Sequence, residues 1–190
     1  MGKGKLTNPF LIGEKVYLRS IEQGDEIVIA ESENHPDARG SLYYALPSST
    51  EIQLTRLKQK VQDHSTIFFV ICTINPNVPI GCTSFVRIDW VGRMATFYIA
   101  IASKENWSRG YGTEATKLMV DYAFETLGMN RIQLHVSAEN ERAVKVYEKT
   151  GFIKEGKLRQ AMFYNYHYID FFLMAIIKKD WLKIKKSFKG

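Results

Sequence analysis

The hydrophobic period of the chain changes near its middle, and this change constrains the fold more than any other feature. Before residue 102, three segments rich in β-branched and aromatic residues follow one another across short turns, which predicts an antiparallel meander. After residue 110, apolar residues recur at helical spacing up to Leu127, where Gly128 is placed to end a helix. A meander that feeds a strand–helix–strand unit predicts an α/β fold with a mixed, mostly antiparallel sheet and helices on both faces.

The same patterns predict a strand, two helices, the three-strand meander, and then helix, strand, helix and two strands. Ser49 is predicted to cap the second helix. The apolar stripe of that helix would consist of Ile52, Leu54, Leu57 and Val61. The predicted strands cover residues 15–19, 66–73, 80–90, 94–102, 131–136, 152–157 and 168–177, and the other predicted helices cover 25–33, 110–127 and 140–149. No repeat or linker separates these segments, so a single domain over residues 1–190 is expected.

Charge is unevenly distributed along the chain. The 190 residues carry a formal net charge of +6, and their 45% hydrophobic and 24% charged composition is ordinary for a globular protein. Residues 178–189 hold six lysines against Asp180, and we interpret this tail as a solvated helix, with nucleic acid or anionic lipid as the disfavoured partner. Residues 20–38 hold six carboxylates without Lys or Arg. They would attract a cationic substrate if they line a cleft, or they form one polar helix face.

Neither a metal site nor a membrane segment is indicated. Cys72 and Cys82 lack zinc-ligand spacing and are interpreted as reduced thiols in a strand pair. The four histidines are scattered, and His135 is expected to have a structural role in a core strand, so no metal is predicted. The chain begins without the apolar core of a signal peptide, and residues 171–177, the longest apolar run, cannot span a bilayer. The expected location is the cytoplasm.

A loop with two glycines precedes the helix predicted from residue 110. Gly110 and Gly112 let the backbone approach a ligand closely, and the N–H groups of a first helical turn favour an anion. Arg109 adds a positive charge, so residues 109–113 are predicted to bind a diphosphate. The glycine spacing also matches a dinucleotide fingerprint, but there the glycines follow the strand directly. Here the polar residues 103–109 intervene.

A second motif lies on the next predicted helix. Asn140, Ala143 and Tyr147 are three and four residues apart, so they share one helix face. Together with Gly151 and Phe152 and with the loop of residues 107–115, this motif resembles the GNAT N-acetyltransferases. The resemblance is to the branch of ribosomal-protein-alanine and spermidine acetyltransferases, although Trp107 stands where the family usually has Gln or Arg.

The resemblance implies the GNAT acyl-CoA N-acyltransferase fold and an enzyme that moves an acetyl group from acetyl-CoA to a primary amine by direct attack. It implies that Tyr147 protonates the departing thiolate, with modest penalty, since the unperturbed pKa values are about 10 for tyrosine and about 8.5 for a thiol. Pantetheine is expected to add to the last meander strand through main-chain contacts. The residues expected to bind the co-substrate are Ile101, Ala102, Arg109, Gly110, Tyr111, Gly112, Thr113, Asn140, Ala143 and Tyr147.

The general base stays open at this stage. Many relatives carry a glutamate on the strand before the loop, but residues 93–102 contain no carboxylate. Thr96 or Tyr98 could position a water molecule. The unranked candidates for a base from elsewhere are Glu22, Glu33 and Asp89.

The acceptor and the assembly also stay open. A protein N-terminal amine, a polyamine, an aminoglycoside or another metabolite would satisfy the chemistry, and a homodimer is one of the assemblies left open. The main alternative function is a non-catalytic acyl-CoA-binding sensor of the same fold. A nucleic-acid-binding module that uses the lysine-rich tail explains neither motif.

Three further expectations concern local structure. Tyr166 stands where the family usually has glycine, so the turn of residues 164–167 is expected to be longer or looser. Asp170 is expected to support local structure rather than chemistry. Core packing is expected to account for most of an aromatic set that could otherwise wall an acceptor pocket, namely Tyr43, Tyr44, Trp90, Phe163, Tyr164, Tyr166 and Tyr168.

Overall fold

The structure of the chain is a computed structural model that describes residues 6–36 and 46–187, so the expectations for Tyr43 and Tyr44 lie outside the described residues. The strands are β1 (Pro9–Ile12), β2 (Val16–Arg19), β3 (Ile67–Thr73), β4 (Pro79–Asp89), β5 (Met94–Ile101), β6 (Arg131–Ser137), β7 (Ile153–Tyr164) and β8 (His167–Ile177). The helices are α1 (Asp25–Asn34), α2 (Thr50–Gln62), α3 (Tyr111–Glu125), α4 (Glu141–Lys149) and α5 (Lys178–Ser187), and a short 3-10 helix covers Lys104–Asn106.

These strands form one sheet in the order β1-β2-β3-β4-β5-β6-β8-β7. β5 and β6 run parallel, whereas the β1–β2, β2–β3, β3–β4, β6–β8 and β7–β8 pairs are antiparallel. The predicted mixed, mostly antiparallel sheet is therefore confirmed. The edge strand β1 was not predicted, because its four residues are too short a run to show a period.

The chain separates into two compact units. The first unit comprises residues 1–86 and 98–118, and the second comprises residues 87–97 and 119–190. The divisions fall within β4, β5 and α3 and not in a linker. The single domain stays a prediction.

In the first unit, β2 is buried along its whole length, including Arg19. The Arg19 guanidinium donates two hydrogen bonds to the Asp25 carboxylate, at 2.7 and 2.8 Å. The bond to Asp25 raises the pKa of Arg19 above its ordinary value despite the opposing effect of burial. Since a buried charge is costly unless it is paired, this bidentate contact is what permits an arginine in a core strand.

The apolar stripe predicted for α2 is wrong in most of its members. The predicted cap is present, because Ser49 Oγ accepts a hydrogen bond from Ile52 N–H at 3.1 Å. Leu57 is 2% exposed, but three of the four predicted stripe residues are substantially exposed, namely Ile52, Leu54 and Val61. The buried face contains Gln53 instead, at 1% exposure. Tertiary contacts therefore select a face that the hydrophobic period did not indicate.

In the second unit, α5 packs through its tryptophan. Trp181 is 7% exposed, its ring lies 5.4 Å from that of Phe124, and its Nε1 donates to Asp121 Oδ1 at 2.7 Å. Lys183 pairs with Asp180 and Lys185 pairs with Glu125. The tail is therefore a helix, as interpreted, but it is not solvated on every side, because Trp181 packs one of its faces against α3. Among the described residues, none of the helices has the length and apolar character that a bilayer crossing requires.

The β7–β8 hairpin differs from the sequence-based expectation. β7 continues to Tyr164, which pairs with His167, so the connection is a two-residue turn with φ values of 46° at Asn165 and 65° at Tyr166. The expected longer or looser turn is therefore wrong, because Tyr166 takes the left-handed conformation that glycine usually supplies. Asp170 accepts a hydrogen bond from Gln160 N–H at 2.8 Å in the bulged part of β7, which supports its structural role.

Two expectations about burial are also corrected. Core packing does not account for the aromatic set, because several of its members are half exposed or more, namely Trp90, Phe163, Tyr166 and Tyr168. His135 is exposed although both of its neighbours on β6 are buried. The strand alternates, and His135 occupies a position on its exposed face.

Candidate functional site

The loop before α3 has the backbone geometry of an anion-binding turn. Gly110 has a φ of 87° and Ser108 a φ of 59°, so two loop residues take the left-handed conformation. The first amide of α3 to bond back is that of Glu114, which donates to the Gly110 carbonyl oxygen at 3.0 Å. The amides of residues 111–113 therefore precede the helical ladder, and such amides are the donors that a helix N-terminus presents to an anion.

Lys15 adds a cation to this loop that the sequence analysis did not assign to it. Its Nζ donates to the Arg109 carbonyl oxygen at 3.3 Å, and a Cβ built on Gly110 would lie 3.4 Å from the same Nζ. Lys15 directly precedes β2, far from the loop in the sequence, so no local pattern could have indicated the contact.

Glu114 ties α3 to the start of β2. Its carboxylate accepts hydrogen bonds from the amides of Glu14, Lys15 and Val16, at 3.0 Å from Lys15 and 3.2 Å from Val16. A Cβ on Gly13 would overlap this carboxylate, so a side chain at position 13 would displace it. Three amides thus donate hydrogen bonds to the charged Glu114 carboxylate, and these bonds fix the position of the loop beside Lys15.

The end of β5 is held on both sides. Ala102 N–H donates to the Ile80 carbonyl oxygen at 2.9 Å, and Trp107 Nε1 donates to the Ile101 carbonyl oxygen at 3.0 Å. The Ala102 amide points toward β4. Because backbone groups alternate along a strand, the Ile101 amide points away from β4. Trp107, the departure from the usual family residue, therefore anchors the loop to β5. Of the two predicted contact residues here, Ala102 has its amide bonded to Ile80, and the Ile101 amide points to the opposite side.

Space in front of the loop is open at Gly112. A Cβ on Gly112 would meet only Ile101 Cγ1, at 4.0 Å. Gly112 has no positive φ, unlike Gly110. Glycine is therefore not needed at position 112 to relieve backbone strain. The absence of a side chain leaves room at the helix N-terminus, which a ligand that approaches the backbone closely would require.

In the second unit, α4 carries the other predicted residues. Asn140 caps the helix, because its Oδ1 accepts a hydrogen bond from Ala143 N–H at 3.1 Å. This contact occupies the amide oxygen, so the side-chain NH₂ is the group that Asn140 could offer to a ligand. Ala143 is partly exposed and Tyr147 is buried on the same helix.

Tyr147 has a buried ring and an uncommitted hydroxyl. The residue is 8% exposed, and its ring packs edge-on against Phe97 at 6.3 Å and at a tilt against Phe152 at 5.8 Å. Burial raises the pKa of its hydroxyl above the ordinary value for tyrosine. Within residues 6–36 and 46–187, the hydroxyl makes no hydrogen bond, so its proton is available to a ligand.

The three candidates for the base differ in exposure and in hydrogen bonding. Asp89 is exposed and accepts hydrogen bonds from Val91 N–H and Gly92 N–H, which is a turn contact. Glu22 is exposed and accepts from Asn8 Nδ2 at 3.0 Å. Glu33 differs, because its side chain is only 14% exposed and lines a recess of the first unit.

The two β5 residues considered for positioning a water molecule differ in their exposure. Thr96 is 3% exposed in β5, whereas Tyr98 is 52% exposed. Neither is a carboxylate, so β5 itself supplies no strong base.

Cys82 lies in the wall of the same recess. Burial raises the pKa of its thiol to about 11, so the thiol is protonated at neutral pH. The thiolate is the nucleophilic form of cysteine, and a protonated thiol does not form an acyl-enzyme. In the described part of the chain, no three His, Cys, Asp or Glu side chains are grouped as metal ligands would be.

The predicted residues thus fall into two groups. Those of residues 101–113 lie together at the end of β5 and the start of α3 in the first unit, and Asn140, Ala143 and Tyr147 lie on α4 in the second unit. Lys15 and Glu114 were not assigned a role from the sequence, because their contacts join β2 to a loop far along the chain.

Comparisons with known proteins match most of the chain. The family model for the acetyltransferase (GNAT) domain matches residues 15–153. Spermidine N(1)-acetyltransferase of Vibrio cholerae is 31% identical over 172 residues, which cover 90% of this chain and 98% of that protein. The putative ribosomal N-acetyltransferase YdaF of Bacillus subtilis is 34% identical over 101 residues, 53% of this chain and 55% of that protein.

A solved structure gives the same result. The crystal structure of spermidine N-acetyltransferase from Vibrio cholerae in complex with CoA and spermine matches with a TM-score of 0.81 and 28% identity. The match covers 88% of this chain and 98% of that one. The fold predicted from the two sequence motifs is therefore confirmed.

Proposed function

Because this chain belongs to the acetyltransferase (GNAT) domain family, we propose that it transfers the acetyl group of acetyl-CoA to a primary amine of a polyamine such as spermidine. Acetyl transfer to an amine is the activity of the family. The polyamine is supported by the spermidine N(1)-acetyltransferase of Vibrio cholerae, which matches 90% of the chain, and by the related structure that contains CoA and spermine.

The observation that carries the proposal is the N-terminus of α3. Gly110 turns the chain in the left-handed conformation, and the amides of residues 111–113 then stand clear of the helical ladder. Lys15 and Arg109 lie beside them. This donor set fits the diphosphate of CoA, since amides and a helix dipole at an N-terminus favour an anion.

The carbonyl oxygen of the thioester would accept a hydrogen bond from the Ile101 amide. Trp107 and Ala102 hold the end of β5 through the contacts with Ile101 and Ile80, so the Ile101 amide is directed before any ligand binds. A preorganised donor stabilises the negative charge that develops on a carbonyl oxygen during attack.

Tyr147 would donate the proton that the leaving sulfur needs. The neutral amine nitrogen forms a bond to the carbonyl carbon, the carbon–sulfur bond breaks, and the sulfur takes the hydroxyl proton of Tyr147. The new amide nitrogen loses its extra proton to a base or to water, and the tyrosinate regains one from solvent. Burial weakens Tyr147 as an acid, but it equally disfavours a thiolate in dry surroundings, so the transfer remains feasible.

An acceptor panel tests the proposal. The purified chain is mixed with acetyl-CoA and, separately, with spermidine, spermine, an alkyl monoamine and a peptide that begins with alanine, and free CoA release is measured against a reaction without acceptor. We expect the highest kcat/KM with the polyamines. Release with the peptide alone would transfer the assignment to protein N-termini, which the 34% identity to the putative ribosomal N-acetyltransferase favours as the second candidate.

Two other outcomes have a defined meaning. CoA binding in a calorimetric titration without release for any amine would support the non-catalytic sensor. No CoA binding would refute the assignment of residues 109–113. The homodimer stays a prediction, which sedimentation equilibrium tests.

A further inference from the structure

Lys15 is held at its backbone and at the tip of its side chain beside the loop that precedes α3. Its amide donates to Glu114 Oε2 at 3.0 Å, and its carbonyl oxygen accepts from Ile74 N–H at 2.9 Å. Its Nζ donates to the Arg109 carbonyl oxygen at 3.3 Å. Lys15 is therefore bonded to residues on both sides of Gly110, and it spans the turn from which the amides of residues 111–113 emerge.

The ammonium group of Lys15 keeps hydrogen-bonding capacity at this turn. It has three N–H donors, and the Arg109 carbonyl oxygen accepts from one of them. A Cβ built on Gly110 would lie 3.4 Å from Nζ, so the charge lies close to the residue that turns the chain into α3. Lys15 is exposed, so an anion from solvent can reach it. An anion at the amides of residues 111–113 would therefore meet a positive charge from the start of β2.

The Glu114 carboxylate is kept away from the amides of its own helix. A carboxylate in a first helical turn is attracted to the amides of that turn, where it would compete with a bound anion. Here Glu114 accepts hydrogen bonds from the amides of Glu14, Lys15 and Val16 instead. The first amides of α3 are thus left to a ligand, and the same bonds fix the backbone from which the Lys15 side chain extends.

Thioester donors differ in the charge that they carry beyond the pantetheine arm. Coenzyme A carries a diphosphate and a separate ribose phosphate, whereas pantetheine carries no phosphate. A fixed cation strengthens the binding of a donor only if the donor brings an anion to it, since charged hydrogen bonds and Coulomb attraction need both partners.

We propose that Lys15 binds the diphosphate of the acyl donor and makes the enzyme select CoA thioesters over thioesters without phosphate, and that Glu114 is the positioning residue that places Lys15. The inference rests on the proposed use of acetyl-CoA. It adds to the donor site a residue that lies outside both sequence motifs.

The first test is calorimetric and needs no turnover. CoA and dephospho-CoA, which keeps the diphosphate but lacks the ribose phosphate, are titrated at low ionic strength into the wild type, Lys15→Gln and Lys58→Gln. Lys58 is an exposed lysine of α2 and matches the loss of charge. Lys15→Gln should weaken both ligands about five- to tenfold, as the loss of a charged hydrogen bond at an exposed site predicts. Lys58→Gln should weaken neither by more than about twofold.

The second test uses S-acetylpantetheine, a donor without phosphate. In Lys15→Gln, kcat/KM with this donor should stay within about twofold of the wild type, while kcat/KM with acetyl-CoA falls about as much as the affinity. An equal loss with both donors would overturn the inference, because a structural role affects both alike. Weaker binding of CoA with unchanged binding of dephospho-CoA would also overturn it, since Lys15 would then bind the ribose phosphate.

The positioning role of Glu114 is tested by a double-mutant cycle on CoA affinity. Glu114→Gln should weaken CoA severalfold in the wild type and by less than about twofold in Lys15→Gln, because a positioning residue acts through the lysine. Additive losses would refute this role.

The inference and the proposed function fail in different ways. Equal CoA affinity of Lys15→Gln and the wild type would refute the inference and leave acetyl transfer intact. If the wild type binds CoA but acetylates no amine, the proposed function fails, and the calorimetric comparison still decides the role of Lys15. Absence of CoA binding to the wild type would refute both.

Discussion

At the scale of single residues, burial decides what Tyr147 can do. Its ring is packed between Phe97 and Phe152, and burial raises the pKa of its hydroxyl. Such a hydroxyl stays protonated at neutral and moderately alkaline pH, so it can donate a proton but cannot act as the base. The base must therefore come from another group or from the acceptor's own free amine.

Tyr147→Phe removes the proton and keeps the ring contacts. We expect kcat to fall by about 10²-fold or more, the usual contribution of a general acid, with the dissociation constant of CoA changed less than twofold. Stopped-flow or steady-state CoA release and calorimetry measure the two quantities. Tyr122→Phe is the matched control, since burial also raises the pKa of Tyr122 on α3. Equal rates for Tyr147→Phe and the wild type would remove Tyr147 from the mechanism.

At the scale of elements, the start of α3 depends on a backbone conformation that one residue permits. Gly110 has a φ of 87°. If a Cβ is built on Gly110, the nearest atom to it is Lys15 Nζ, the end of a flexible side chain, at 3.4 Å. Glu114 fixes the same turn through the amides at the start of β2. A side chain at position 110 would therefore meet dihedral strain rather than a steric clash.

Gly110→Ala should destabilise the chain by about 1–2 kcal/mol, the cost of the left-handed conformation for a residue with a Cβ. Because the loop can relieve this strain by leaving its binding geometry, CoA affinity should fall by up to about tenfold. Thermal melts and calorimetry give the two values. Gly24→Ala is the control, since Gly24 has a φ of 101° and open space around it at the start of α1. It should cost similar stability and leave CoA affinity intact; a parallel loss of affinity would argue against the loop.

At the scale of the whole molecule, paired carboxylates control the response to acid. The hydrogen bond from Arg131 lowers the pKa of Glu155 from its ordinary value of 4.5, and the bond from Lys157 lowers the pKa of Asp170 from 3.8. Hydrogen bonds from Thr66 and Ser65 lower the pKa of Asp63. A lowered folded-state pKa gives stability that is present above the unfolded value and is lost as the pH falls through the folded value.

These carboxylates should therefore make the melting temperature fall on acidification from about pH 5 to about pH 3. Differential scanning calorimetry in buffers of matched ionic strength measures this change. A chain with Glu155→Gln and Asp170→Asn should melt lower at pH 7 and show a shallower decline in acid. An identical decline in this variant would mean that other groups carry the acid sensitivity.

The sequence by itself determined the order of the elements after β1, the mixed sheet and the two motifs. These follow from local periods, from Gly110 and Gly128 at helix boundaries, and from the spacing of Asn140 and Tyr147, all of which act over a few residues. Predictions failed where a partner far along the chain decides burial. The buried face of α2 contains Gln53 instead of most of the predicted apolar residues, and His135 lies on the exposed side of its strand. The β7–β8 connection is a two-residue turn in which Tyr166 has a positive φ.

Only the tertiary structure placed Lys15 beside Arg109, bound Glu114 to β2 and distinguished Glu33 from the other acidic candidates. Each of these is a contact between segments that the chain brings together through sheet pairing and helix packing. A residue pattern records the preference of each segment, but a charge gains its role from the particular donors and walls that surround it after folding.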